Sequence, residues 1–145
     1  MSEESTRNLE GTLASVGKSV DSEIFVSEHE SKYRFFYEFL NDYIAENGLD
    51  ITDIITRSRI SKNYVYQITN GVKKRPTRDK IIALSIAAGM DVAHVNRSLR
   101  IGGCNALYPK NKRDIYIAEC INLGKTDITD VNIILDEKGV ELLDV

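Results

Sequence analysis

Residues 51–76, ITDIITRSRISKNYVYQITNGVKKRP, determine how the rest of the chain is read. Ile51, Ile54 and Ile55 put one apolar stripe on a short helix over residues 51–58, and the Asp50 carboxylate is placed to accept from its first exposed amides. Ser61 is a matching cap for a second helix reaching Asn70, with Val65 and Ile68 inward and Gly71 suited to end it in the left-handed conformation. Two short helices joined by so few residues are the arrangement of a helix-turn-helix. The outward side of the second helix carries Lys62, Asn63, Tyr66, Gln67 and Asn70, not the Glu/Lys pairs usual on solvated helices. Asn and Gln make paired hydrogen bonds with adenine and Lys donates to guanine, so these side chains suit base edges in a major groove. The helix start adds exposed amides for a phosphate. Lys73, Lys74 and Arg75 follow where the backbone of a duplex would pass, and Pro76 closes the loop.

Outward from this stretch the chain keeps a helical period. Upstream, Phe36, Phe39, Leu40, Tyr43 and Ile44 form a wide apolar stripe that stops at Asn47-Gly48. Downstream, Thr77 caps a fourth helix over residues 78–88 with Ile81, Ile82, Leu84 and Ile86 apolar, ended by Gly89. Asp91 opens a fifth helix carrying Val92, Val95 and Leu99, and Gly102-Gly103 break it. Residues 111–123 and 127–138 read as a sixth and a seventh helix joined through Gly124, and strand signals are almost absent. The expected fold class is all-α. Arg78-Asp79, Gly89, Asp91-Val92, Val95-Asn96 and Leu99 match Arg113-Asp114, Gly124, Asp127-Ile128, Val131-Asn132 and Leu135, at an offset of 35 that becomes 36 after the glycine. The last two helices therefore read as a hairpin that repeats helices 4 and 5, against the plainer alternative of chance likeness between amphipathic pairs.

With 145 residues, 42% of them apolar and 28% charged, the chain suits one compact domain or a small domain with an extension. No apolar run approaches the roughly 18 residues of a membrane span, and the polar, acidic start does not resemble a secretory signal, so a cytoplasmic location is expected. Cys104 and Cys120 lie 16 residues apart and His29 and His94 are the only histidines, which leaves no closely spaced ligand pairs for zinc. Two buried thiols and no metal or cofactor are expected. The net charge of −3 hides a partition. Residues 1–30 hold seven acids against Arg7 and Lys18, and Leu9, Leu13, Val16 and Val20 at helical spacing suggest a mobile acidic arm with a docking stripe. Residues 57–80 hold Arg57, Arg59, Lys62, Lys73, Lys74, Arg75, Arg78 and Lys80 against Asp79 alone, a local positive field unless the run is only a solvated surface.

Residues 51–76 resemble the helix-turn-helix of phage-repressor-like (Xre-type) transcriptional regulators, and the flanking helices extend the likeness over residues 31–102. Its most specific part is Ile60-Ser61, Val65, Ile68 and Asn70-Gly71, followed by basic residues and Pro76. The resemblance implies a five-helix DNA-binding domain over residues 31–103, with Lys62, Asn63 and Gln67 at base edges; Tyr66, on the same outward face, is a further candidate to touch a base. It also implies Ser61, Asn70, Lys73 and Arg75 near phosphates, and Lys74 joins them by its place in the same basic loop. Three residues depart from the family pattern. Ile55 replaces a small residue, Ile51 replaces a polar phosphate contact, and Arg59 stands where the inter-helix turn often has glycine. A non-glycine residue with positive φ is costly, so a different turn geometry is expected at Arg59. Residues 104–145 fall outside the family core.

Other residues read more plainly. Tyr64 is expected as a core or lid residue, His94 as a surface residue without a carboxylate partner, and Gly102-Gly103 as a turn between the repeats. Asp114 and Asp127 each sit at a helix start, where the dipole accounts for a carboxylate without chemistry. No nucleophile, base and orienting residue converge, so no enzyme is expected. The expectation is a cytoplasmic, nucleoid-associated, repressor-like regulator that binds double-stranded DNA as a homodimer, with the C-terminal hairpin as the dimer contact. The alternative is a protein-interaction adaptor that keeps the fold and binds a protein partner through that hairpin or the N-terminal arm.

Overall fold

The computed structural model describes residues 32–145, in which Phe35–Val145 forms one compact unit. Its regular structure is α1 (Phe36–Glu46), α2 (Ile51–Ser58), α3 (Lys62–Thr69), α4 (Arg78–Ala87), α5 (Val92–Ile101), α6 (Lys112–Asn122) and α7 (Ile128–Glu137). The described residues are thus all-helical, with no strand among them, and none of their helices is long and apolar enough to cross a membrane. The arm expected over residues 1–30 lies outside the described residues.

Capping side chains set the helix starts. Asp50 accepts from Thr52 N, Ser61 from Tyr64 N, Thr77 from Lys80 N, Asp91 from His94 N, Asn111 from Asp114 N and Asp127 from Thr129 N. Each satisfies an amide that the helix leaves unpaired, a contribution of about 1 kcal/mol. α1 starts differently: the Phe35 amide donates to the Glu38 carboxylate at 3.0 Å, half of a capping box. Two glycines are required by shape. Gly71 ends α3 at φ 83° with a Cβ position 3.1 Å from the Tyr37 ring, and a Cβ on Gly102 would collide with Ile81 Cδ1.

Every residue over 81–88, the end of α4 and its C-cap, is buried, which explains why that run is apolar apart from Ser85, whose buried hydroxyl has no hydrogen-bond partner among the described residues. α2 packs against α4, α1 packs against α3 and α5, and α4 and α5 pair as a hairpin, as do α6 and α7. Between the hairpins, α4 meets α7 while α5 meets α6.

Residues matched in sequence make matched bonds there. Arg78 forks onto Asp114 at 2.9 and 3.2 Å, and Arg113 forks onto Asp79 at 2.9 and 3.2 Å. Arg78 also donates to the Asn105 and Ala106 carbonyls, as Arg113 does to those of Glu141 and Leu142. The Tyr108 amide donates to Asp114 and the Asp144 amide to Asp79. Asn96 accepts from Leu107 N and Asn132 from Leu143 N. Exchanging the two hairpins leaves this pattern unchanged, which is the mark of a two-fold relation and not of a translational stack. A two-fold pair closes on itself, so two copies suffice where a solenoid needs more.

Candidate nucleic-acid interface

The connection from α2 to α3 has only Arg59, Ile60 and Ser61. Arg59 adopts the left-handed conformation, φ 63° and ψ 10°, so it takes the backbone shape that favours glycine instead of altering the turn as expected. It is the one non-glycine residue with positive φ among the described residues. The buried Ser58 hydroxyl donates to Ile55 O at 2.9 Å and accepts from Ile60 N at 3.1 Å, fixing the turn from inside. Val65 and Ile68 are fully buried and anchor α3. Asn41 on α1 donates to Thr69 O at 2.8 Å and holds its far end, a contact that no local sequence signal announces.

On the opposite side, Lys62, Asn63, Tyr66 and Gln67 are exposed together. No side-chain hydrogen bond or ion pair among the described residues engages Lys62, Asn63 or Gln67, so their donors and acceptors face solvent. Tyr66 is 39% exposed, whereas Tyr64 is half-buried under two ammonium groups, Lys73 Nζ at 5.3 Å and Lys80 Nζ at 5.2 Å from its ring centre. The lid reading of Tyr64 fits that placement.

Of the residues expected near phosphates, Ser61 uses its oxygen to cap α3 and Asn70 Oδ1 accepts from Val72 N at 3.1 Å. The Asn70 amide nitrogen and the Ser61 hydroxyl proton remain as donors. Lys74 Nζ donates to Gly71 O at 2.8 Å and lies 5.9 Å from the Phe35 ring centre, with the Arg75 guanidinium 5.2 Å from the same ring. Stacking on an aromatic face orders the charged stems and leaves outward N–H groups. Ser61, Asn70, Lys73, Lys74 and Arg75 are all exposed.

The basic run is narrower than its sequence suggests. Arg57 donates twice to Ala87 O, at 2.9 and 2.8 Å, closing the C-terminus of α4. Arg78 is bound to Asp114, and Arg59 forks onto Asp127 at 3.0 and 2.7 Å. The hydrogen bond from Arg59 holds the Asp127 carboxyl below its ordinary range. Apart from Arg57, the positive charge of this run that meets no carboxylate among the described residues therefore lies in Lys62, in the Lys73-Lys74-Arg75 loop and in the partly exposed Lys80, whose Nζ reaches Asp144 O at 3.5 Å.

Two expectations away from α3 need correction or detail. His94 does have a carboxylate partner: its Nδ1 lies 2.8 Å from Asp91 Oδ1, and its ring centre is 5.5 Å from that of Tyr43. The residue that caps α5 is thus also the partner, and the bond to His94 holds the Asp91 carboxyl below its ordinary range. Cys120 is buried, which pushes its thiol up, whereas Cys104 is only half-buried, and neither forms a disulfide. Among the described residues no group of His, Cys, Asp or Glu side chains is placed to hold a metal ion. Asp114 and Asp127 answer to different arginines, Arg78 and Arg59, in separate structural ion pairs. No protein-family model, curated protein or solved structure matches this chain.

Proposed function

We propose that this chain is a sequence-specific, repressor-like regulator that binds double-stranded DNA with α3 in the major groove. In this reading residues 31–103 form a phage-repressor-like helix-turn-helix domain, and residues 104–145 form a hairpin repeating α4 and α5. Lys62, Asn63, Tyr66 and Gln67 meet base edges, while Ser61, Asn70, Lys73, Lys74 and Arg75 meet phosphates. The supporting observation is the exposed, internally unpartnered amide and ammonium face of α3, bordered by the ordered basic loop. One short helix reads few base pairs, so the reading includes a homodimer on a two-fold-related site. It also includes a cytoplasmic, nucleoid-associated location.

Selection from random duplexes followed by a salt titration tests it. A short sequence should be enriched, and affinity should fall by roughly 0.9 log units per log unit of salt for each phosphate neutralised. A second reading, the protein-interaction adaptor, draws on the capture of Arg57, Arg59 and Arg78 by the protein itself and on exposed Leu123 and Ile133. Under that reading selection enriches no sequence.

A further inference from the structure

We infer that Asp127, the cap of the last helix, is a positioning residue for α3, acting through Arg59 so that the second hairpin governs how sharply the recognition helix discriminates among sequences; this rests on the DNA-binding reading above. The direction of α3 relative to α2 depends on few torsions, chiefly those of Arg59, and this residue holds a backbone conformation that L side chains disfavour. Such a conformation persists when its surroundings over-determine it. Ser58 supplies the inner restraint. The outer one is the Arg59 guanidinium, whose Nε and Nη2 meet the two Asp127 oxygens at 3.0 and 2.7 Å.

Asp127 is itself fixed, because Oδ1 also accepts from Thr129 N at 2.9 Å to cap α7. α7 in turn packs against α2 and α4. The turn is thus tied across 68 residues of sequence to an anchored point on the second hairpin. An exposed ion pair between flexible side chains contributes little to stability. This one differs in geometry: a planar fork on a carboxylate that the α7 backbone already holds, at the single strained residue of the turn.

Asp127→Asn isolates the clamp, since asparagine caps a helix as well as aspartate does but carries no charge. Charge bookkeeping and positioning predict opposite results. Removing a negative charge and releasing Arg59 should tighten binding to every duplex alike. A positioning role instead lowers the ratio of affinity for the selected duplex to affinity for random duplex, by about three- to tenfold. Arg59→Gly serves as the second variant, because glycine relieves the backbone cost while removing the clamp, and the same loss of ratio is expected.

Amide hydrogen exchange provides a readout independent of DNA. In both variants the amides at residues 60–64 should exchange several-fold faster while those of α4 are unchanged. An unchanged affinity ratio, or unchanged exchange at residues 60–64, would overturn the inference. A wild-type chain that discriminates no duplex refutes the DNA-binding reading instead, and exchange alone then decides whether the clamp positions α3.

Discussion

The α4–α5 and α6–α7 hairpins grip each other with the same residues, yet their outer faces have opposite character. Leu84 and Ala87 of the first are buried, whereas Glu119 and Asn122, their counterparts at the repeat offset, are exposed in the second. Likewise Ile101 is buried and Glu137 exposed. The first hairpin is covered on both sides, by α1 and α2 on one and by the second hairpin on the other. The second is covered on one side only. An apolar inner face and an ion-pair lattice can therefore be repeated while the outer face follows whatever packs against it. That division leaves α3 packed on α1, which itself rests on α5 of the first hairpin, while the turn before α3 is tied to the second hairpin through Arg59 and Asp127.

Exchanging outer residues should break the equivalence most severely. Leu84→Glu puts a carboxylate into a fully buried site, and a loss of more than about 4 kcal/mol, enough to abolish a cooperative transition, is expected in urea unfolding. Glu119→Leu should change stability by no more than about 0.5 kcal/mol. Equal effects would contradict the one-sided covering of the second hairpin.

The ion-pair lattice comes next. Asp114 is 5% exposed, so Asp114→Ala strands Arg78 and the Tyr108 amide together, at roughly 3 kcal/mol. Asp79 is more accessible, its side chain 19% exposed, and Asp79→Ala should cost roughly 1–2 kcal/mol. Urea denaturation of both variants measures the difference.

Acid titration addresses the same lattice. Burial pushes the Asp79 carboxyl up, but its bonds from Arg113 and the Asp144 amide outweigh this and leave it below the ordinary 3.8. Its contribution is therefore complete above that value and is lost as pH falls through the lower folded-state value. Thermal melts of wild type and Asp79→Asn should differ at pH 6 and converge as pH falls below the ordinary carboxylate value. The smallest effect on folding is expected from Leu123→Glu and Ile133→Glu, within about 0.5 kcal/mol, since both residues are already exposed. If the second hairpin is the dimer contact, these variants instead shift sedimentation toward the monomer.

Much of this architecture is legible in sequence because local rules set it. Asp50, Ser61, Thr77, Asp91, Asn111 and Asp127 mark helix starts by type, and the buried run over residues 81–88 reads as a core helix. The offset of 35 and then 36 locates the two-fold lattice, since Arg78-Asp79 and Arg113-Asp114 are the residues that cross-pair. Pairings between distant surface residues are not legible. Nothing local in Arg59 points to Asp127, or in Arg57 to Ala87 O, so the basic run looks wider in sequence than in space. The outward face of α3 is legible because a helix with two fully buried positions, Val65 and Ile68, fixes where the remaining side chains point.

The most direct test compares wild type, Gln67→Ala and Lys73→Ala on the selected duplex and on its single-base variants. Gln67→Ala should relax preference at about one base pair, with a loss on the order of 1–3 kcal/mol, and Lys73→Ala should weaken all duplexes alike. Identical behaviour of the two variants, or the absence of any preferred duplex, would contradict the assignment of base reading to the exposed face of α3.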